Sequence, residues 1–148
     1  MIIKRHLRVS AEQYYDYLLT HLHIQLKRDV SNTIKKKDLV KGFEVKKTYM
    51  HGTEKVSIEF TIEEMSRPEL YRISFKTEKG SQFVSHRIKK IRDNFIEDEY
   101  EEDFQTNDIK LKLKALIDAS RTRQNMAKTI SIIEKEIKVK NIKESNKL

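Results

Sequence analysis

Acidic side chains are concentrated in one short stretch, FIEDEYEEDF at 95–104, where six of the ten residues are Asp or Glu. The chain as a whole is basic, with a formal net charge of +8. Paired carboxylates can act as general acid and base, a group of them can hold a hard cation, and alternating ones can line the solvated face of a strand. Strand register decides among these three roles.

Alternation favours the solvated face for four of the six acids. Side chains in a strand point to opposite faces in turn, so one face of this strand carries only acids and must meet water. A turn at 92–94 sets Arg87 opposite Glu99, and Lys89 near Glu97. Such cross-strand ion pairs contribute roughly 0.2–1 kcal/mol each. The four acids of this face are Glu97, Glu99, Glu101 and Asp103.

Asp98 and Glu102 have the opposite phase and point inward on either side of Tyr100. Four strand residues span about 13.6 Å, whereas the carboxyl groups of glycosidase pairs lie roughly 5–9.5 Å apart, so a catalytic dyad is disfavoured. The same register sets His86 opposite Tyr100. We therefore expect either a polar cluster of His86, Tyr100 and Glu102, or a polar patch at the end of the sheet whose hydrogen bonds are satisfied.

Other reactive groups give little support for chemistry. His21 and His23 are two residues apart on a predicted helix, so they point to different faces and cannot share a metal. With no cysteine there is no thiolate chemistry, and three glycines form no phosphate-binding loop. We expect no metal, no cofactor and no catalytic residue. An enzyme remains open but is favoured less than a binding domain.

The amino-terminal elements are a strand, IIKRHLRV, and a helix that begins at a capping box formed by Ser10 and Gln13. The helix is predicted from apolar residues that recur at helical spacing. The helix is predicted to end at 31–33. The apolar stripe of this helix consists of Tyr15, Leu19, Leu22 and Leu26.

From residue 38 to 104 the hydrophobic period changes to two, which predicts five strands joined by short turns. The first of them reads LVKGFEVKKTY, with a bulge or bend at Gly42. An antiparallel meander with one buried and one solvated face follows from this pattern. Together with the helices on either side it predicts the α+β class.

After Phe104 the period returns to that of a helix, with a stripe of Ile109, Leu113, Leu116, Ile117, Ala127, Ile130, Ile133 and Ile137. One straight helix over 108–138 would be about 47 Å long, against roughly 38 Å for a domain of this size. We therefore expect either a break near 118–122 or a helix that extends beyond the rest of the domain. Residues 1–139 are predicted as a single domain, and 140–148 as a frayed basic tail.

Composition limits the partners. No stretch approaches the roughly 20 apolar residues of a membrane span, and the amino terminus lacks a signal-peptide pattern, so we expect a soluble cytoplasmic protein. The pI near 9.5 favours an anionic partner. Nucleic acid is disfavoured, because the basic residues Lys46, Arg87 and Lys89 share their sheet face with acids. Oligomeric state is left open.

The order of the elements resembles the helix-grip superfamily (SRPBCC), which contains START lipid-transfer domains, birch-pollen-allergen-like proteins and bacterial polyketide cyclases. Within it, the chain is similar to an uncharacterised bacterial family of stand-alone helix-grip domains. The resemblance rests on RVSAEQYYDYL at 8–18, LVKGFEVKK at 39–47, IEEMSRPELYRISF at 62–75 and EYEEDF at 99–104. Its most telling motif is E…P-x-x-Y-x-(I/F), from Glu63 to Phe75. The chain departs from the superfamily in having six predicted strands rather than seven and no glycine-rich loop in mid-sheet.

This resemblance implies a curved antiparallel sheet wrapped around a long carboxy-terminal helix, with a cavity between them for a small apolar or amphipathic ligand. The inward-facing candidates for its wall are Phe43, Val45, Tyr49, Ile58, Phe60, Ile73, Phe75, His86, Tyr100 and Glu102. The alternative is a non-enzymatic interaction module that binds a protein partner or an anionic surface through its basic helices. A co-purifying small molecule would favour the first, and a salt-dependent partner the second.

Overall fold

The fold is a single antiparallel sheet of six strands with three helices, in a computed structural model that describes residues 1–146. The predicted α+β class is confirmed, and the arrangement is consistent with a helix-grip. The sheet order is β1-β6-β5-β4-β3-β2, so the predicted five-strand meander is present and the first strand joins its last strand. The elements are β1 (Ile2–Leu7), α1 (Ala11–Asp29), a short 3-10 turn (Lys36–Asp38), β2 (Glu44–His51), β3 (Glu54–Ser66), β4 (Leu70–Thr77), β5 (Gly80–Arg92), β6 (Phe95–Gln105), α2 (Ile109–Gln124) and α3 (Met126–Asn146).

The register of the last hairpin agrees with the alternation of its side chains. Arg87 lies opposite Glu99, Lys89 opposite Glu97, and His86 opposite Tyr100. The odd-numbered acids of β6 therefore point away from the helices. This register confirms the solvated-face interpretation of those four acids.

Helix α1 starts where the capping box predicts. Ser10 Oγ accepts from the Gln13 amide at 3.1 Å, and Gln13 Oε1 accepts from the Ser10 amide at 3.0 Å. The predicted stripe faces the core: Tyr15, Leu22 and Leu26 are buried, and Leu19 packs against them. The cap thus fixes the first residue of α1, and the apolar stripe determines the face that α1 turns to the sheet.

Strand β2 is shorter than predicted. It begins at Glu44 rather than at Leu39, because the chain turns through Gly42 with a φ of 88°. That left-handed conformation is open to glycine at no steric cost and interrupts extended backbone. The expected bend at Gly42 is present, and it ends the preceding loop instead of lying inside a strand.

The carboxy-terminal helix is interrupted at Asn125, so the predicted break at 118–122 is a few residues too early. Asn125 has a φ of −94° and a ψ of 5°, and its amide contacts the carbonyls of Arg121 and Arg123. Asparagine is a weak helix former because its side chain competes for backbone hydrogen bonds. Of the predicted tail, residues as far as Asn146 are helical, and 147–148 lie outside the described residues.

Only part of the predicted apolar stripe reaches the core. In α3, Ile133 and Ile137 are 7% and 4% exposed, and Ile130 packs against them. In α2 the stripe faces solvent, and Ala127 is also exposed. The prediction was wrong for α2, because α2 turns a different face towards the molecule, with half-buried Leu111, Ala115, Ala119 and Thr122.

Candidate functional site

A buried polar cluster around Asp98 lies between α1 and the sheet. Asp98 has no exposed surface, and its Oδ2 atom accepts three hydrogen bonds. The donors are Arg5 Nε at 3.0 Å, the Tyr14 hydroxyl at 2.5 Å and His86 Nδ1 at 2.8 Å. Arg5 Nη2 also donates to the Tyr14 hydroxyl. A buried carboxylate is thereby matched with a buried cation, as burial of charge requires.

Three strands and one helix supply the cluster. Arg5 pairs directly with Asp98 across β1 and β6, and His86 comes from β5 on the other side of β6. Tyr14 stands in the first turn of α1, where the capping box holds it over the sheet. Asp98 thus links the edge strand β1, the hairpin of β5 and β6, and helix α1.

Electrostatics keep the carboxylate ionised. Burial alone would raise the pKa of Asp98, but the hydrogen bond and charge of His86, the charge of Arg5 and the hydrogen bond from Tyr14 outweigh it and lower the pKa. Since an ionised carboxylate only accepts, the proton between the pair belongs to His86 Nδ1. Asp98 Oδ1 has no hydrogen-bond partner among the described residues.

The cluster also fixes the position of Tyr100. The Arg5 guanidinium lies 5.1 Å from the centre of the Tyr100 ring, a cation–π distance, and the His86 ring is 5.0 Å away. Burial, followed by the neighbouring carboxylate of Glu102, raises the pKa of the Tyr100 hydroxyl. Tyr100 is therefore a neutral hydrogen-bonding group whose ring is held in place by Arg5 and His86.

The expected cluster of His86, Tyr100 and Glu102 forms only in part. His86 and Tyr100 are in contact, and Glu102 lies next along the same face of β6. However, the His86 hydrogen bond goes to Asp98 rather than to Glu102.

The other predicted residues fall on the inner face of the sheet. Phe60 lies between two of them in tilted ring contacts, with ring centres 6.3 Å from Phe43 and 5.2 Å from Phe75. Ile73 is buried, while Tyr49 is 39% exposed at the far end of the sheet. Val45 and Ile58 are half-buried.

Burial falls steadily from one end of the inner face to the other. The end covered by α1 is closed, with Tyr14 and Tyr15 packed edge-on against the rings of His86 and Tyr71. Beyond it the same face remains apolar but only half-covered. This half-open floor consists of Val45, Ile58, Phe75, Val84, Tyr100 and Glu102, all of intermediate exposure.

Two surface pockets lie elsewhere. One, of about 210 Å³, is lined by Ser10, Ala11, Glu12, Lys90, Arg92, Asp93 and Asn94. The other, of about 370 Å³, is on the solvated face and is lined by Ser66, Glu69, Leu70, Arg87, Ile88, Lys89, Glu97 and Glu99. None of the predicted wall residues lines either pocket.

The chemistry open to the cluster is limited by enclosure. An Asp–His pair can orient an imidazole as a general base, yet His86 is only 5% exposed and Asp98 is wholly buried. Within residues 1–141 no group of three potential ligands is placed to hold a metal ion. None of the described helices combines the length and the apolar character needed to cross a membrane. The cluster itself is closed to solvent and contacts the Tyr100 ring.

Arg5, Tyr14 and Asp98 were missed as members of the site. Arg5 and Asp98 are 93 residues apart in sequence, and only the pairing of β1 with β6 joins them. A signal was nevertheless present. Arg5 alternates with Ile3 and Leu7 in the first strand, so an inward-pointing cation and an inward-pointing acid both required a partner.

Solved structures share this fold. The Mll3558 protein from Rhizobium loti matches with a TM-score of 0.55 at 10% identity, over 93% of this chain and 94% of that one. Protein CV1439 from Chromobacterium violaceum matches with a TM-score of 0.50 at 13% identity, over 90% of this chain and 96% of that one. Sequence identities this low show only that the fold is shared.

The sequence itself matches a protein family over most of its length. No curated protein matches the chain. The family match covers residues 1–120, which includes the whole sheet, α1 and most of α2. The chain therefore belongs to the family described as Domain of unknown function (DUF3284).

Proposed function

We propose that this protein binds a small apolar or amphipathic molecule on the half-open floor. The observation that carries the proposal is the loss of burial along one continuous apolar face. Ile62 and Phe60 are 0% and 1% exposed, whereas Ile58, next on the same face of β3, is half-exposed. Ligand sites are typically concave and apolar, with a few convergent polar groups.

Two polar groups give the ligand its orientation. The Tyr100 hydroxyl and the Glu102 carboxylate are adjacent on β6 at the edge of the half-open floor. Glu102 accepts hydrogen bonds when ionised, and Tyr100 can donate or accept. A ligand with one hydroxyl or amine on an apolar body fits this combination. The buried cluster beneath Tyr100 limits its movement, which lowers the entropy lost on binding.

The wider setting is consistent with this role. The resemblance to SRPBCC proteins, in which a sheet and a carboxy-terminal helix enclose apolar ligands, favours the same face of the sheet. The absence of cysteine agrees with the cytoplasm as the expected location. Ligand binding, rather than catalysis, is the activity proposed, because the pair of Asp98 and His86 is enclosed.

Native mass spectrometry and thermal shift together test the proposal. Protein purified without denaturants is first examined for a bound small molecule. A panel of amphipathic alcohols and amines is then screened by thermal shift against the wild type, Glu102→Gln and Glu101→Gln. Each variant loses one negative charge from β6, but Glu101 faces the opposite side of the sheet. A ligand at 100 times its dissociation constant adds about 2.7 kcal/mol of stability.

The expected result is a ligand whose thermal shift is reduced in Glu102→Gln and retained in Glu101→Gln. Both variants should melt close to the wild type without ligand. An equal loss in the two variants would mean that only the overall charge matters. A panel in which no compound stabilises the wild type, with no molecule co-purifying, would contradict the proposal.

A further inference from the structure

A second surface, on α2, carries apolar side chains that no described part of the chain covers. The face of α2 nearest the molecule has half-buried Leu111, Ala115 and Ala119. The opposite face carries four large side chains that are 55–73% exposed: Ile109 73%, Leu113 57%, Leu116 68% and Ile117 55%. This apolar stripe lies outside the half-open floor and has no part in the proposed ligand binding.

Basic residues border the apolar stripe on both sides. At about 100° per residue, Lys112 and Arg123 fall along one edge of the stripe, and Lys110, Lys114 and Arg121 along the other. The single acid of α2, Asp118, lies on the far side from the stripe. All five cations are exposed. Long basic side chains can extend from the edge of an apolar stripe to an anionic layer while their methylenes remain with the apolar groups.

We propose that α2 docks on an anionic lipid surface, with the apolar stripe in the headgroup–acyl boundary and the five cations among the headgroups. An amphipathic helix with Lys and Arg beside its apolar face binds in this way. A second copy of the chain is a poorer occupant, because two such helices packed face to face would bring like charges together. The helix lies on the surface of the bilayer and does not span it.

Vesicle flotation with the full chain tests the proposal. The probes are vesicles of phosphatidylcholine alone and vesicles of equal parts phosphatidylcholine and phosphatidylglycerol. We expect the protein to float with the anionic vesicles only, and added salt to weaken the binding. The double variant Leu113→Ser with Leu116→Ser should lose at least about tenfold in affinity. Its matched control changes two exposed residues elsewhere, Ile24→Ser with Ile132→Ser, and should bind like the wild type.

The role of charge is tested with two triple variants that have the same net charge as each other. The triple variant Lys110→Gln, Lys114→Gln, Arg121→Gln removes cations beside the apolar stripe. Each cation near an anionic surface contributes about fivefold in affinity, so a loss on the order of a hundredfold is expected. The control triple, Lys37→Gln, Lys55→Gln, Lys79→Gln, removes exposed cations from other elements and should lose far less.

Three outcomes would overturn the proposal. The first is that the protein does not float with anionic vesicles. The second is that the α2 variants and their controls lose affinity equally. The third is a wild-type dimer in light scattering that the Leu113→Ser, Leu116→Ser protein no longer forms, which would assign the apolar stripe to a second copy. Circular dichroism of every variant confirms that loss of binding is not loss of fold.

Discussion

His86 Nδ1 lies 2.8 Å from Asp98 Oδ2, so the neighbouring strands β5 and β6 are joined by a buried ion–imidazole contact beneath α1. The same oxygen accepts from Arg5 and Tyr14. One carboxylate oxygen therefore connects β1, β5, β6 and α1.

Removing the charge of Asp98 should be strongly destabilising. Asp98→Asn leaves the Arg5 guanidinium buried without its counterion, and breaking a buried ion pair from one side costs roughly 3–5 kcal/mol. Urea unfolding of the variant measures the loss. The control is Glu99→Gln, one residue along the strand on the solvated face, which should change stability by less than about 1 kcal/mol. Equal losses of stability in the two variants would show that the buried cluster contributes no more to stability than a charge on the solvated face.

Acid should remove the contribution of Asp98. Its pKa is lower in the folded protein than the value of about 3.9 in an unfolded chain. The stabilisation is therefore complete above about pH 4 and is lost as the pH falls through the folded-state pKa. Asp16, whose pKa a hydrogen bond from Arg67 also lowers, titrates in both proteins and cancels in the comparison. The stability difference between wild type and Asp98→Asn should shrink below about pH 4. A difference that stays constant down to pH 2 would contradict this assignment.

The register of the sheet could be predicted from the sequence because period-two alternation and a short turn leave few choices. His86 opposite Tyr100 follows from the local hairpin alone. Arg5 and Tyr14 could not be placed, because the neighbour of the first strand depends on how the whole sheet closes. The alternation correctly predicts that Asp98 points inward, but its partner Arg5 is 93 residues away in the sequence.

Burial on α3 should separate two adjacent isoleucines. Ile133 is 7% exposed and Ile132 is 47% exposed, so they form a matched pair. Ile133→Ala should cost roughly 2–5 kcal/mol through lost transfer energy and a cavity. Ile132→Ala should cost much less, and Lys128→Ala little. Chemical denaturation of the three variants checks this, and three small, equal losses would remove α3 from the core.

Helix α2 shows what the spacing of apolar residues cannot predict. Its apolar stripe has the same spacing as that of α3, yet it faces solvent while Ile133 and Ile137 are buried. Spacing predicts an amphipathic helix but not what covers its apolar face, which depends on where the break falls. Asn125, rather than the segment 118–122, ends α2 and separates it from α3.

The solvated face of β6 should tolerate charge reversal. Glu99→Lys places a cation opposite Arg87 on an exposed face. Like charges across strands should destabilise by about 1 kcal/mol or less, and less still in high salt. Thermal denaturation at low and high salt measures the effect. A loss of several kcal/mol would show that Glu99 makes a buried contact.

Methyl chemical shifts test the central claim that the ligand lies on the half-open floor. An amphipathic compound that stabilises the wild type is titrated into protein labelled at its Ile, Leu and Val methyl groups. Val45, Ile58 and Val84 belong to the half-open floor, while Ile24 and Ile132 are exposed elsewhere. We predict shifts at the first three, reduced in Glu102→Gln and retained in Glu101→Gln. Shifts confined to Ile109, Leu113 and Leu116, or spread evenly over exposed methyl groups, would contradict the account.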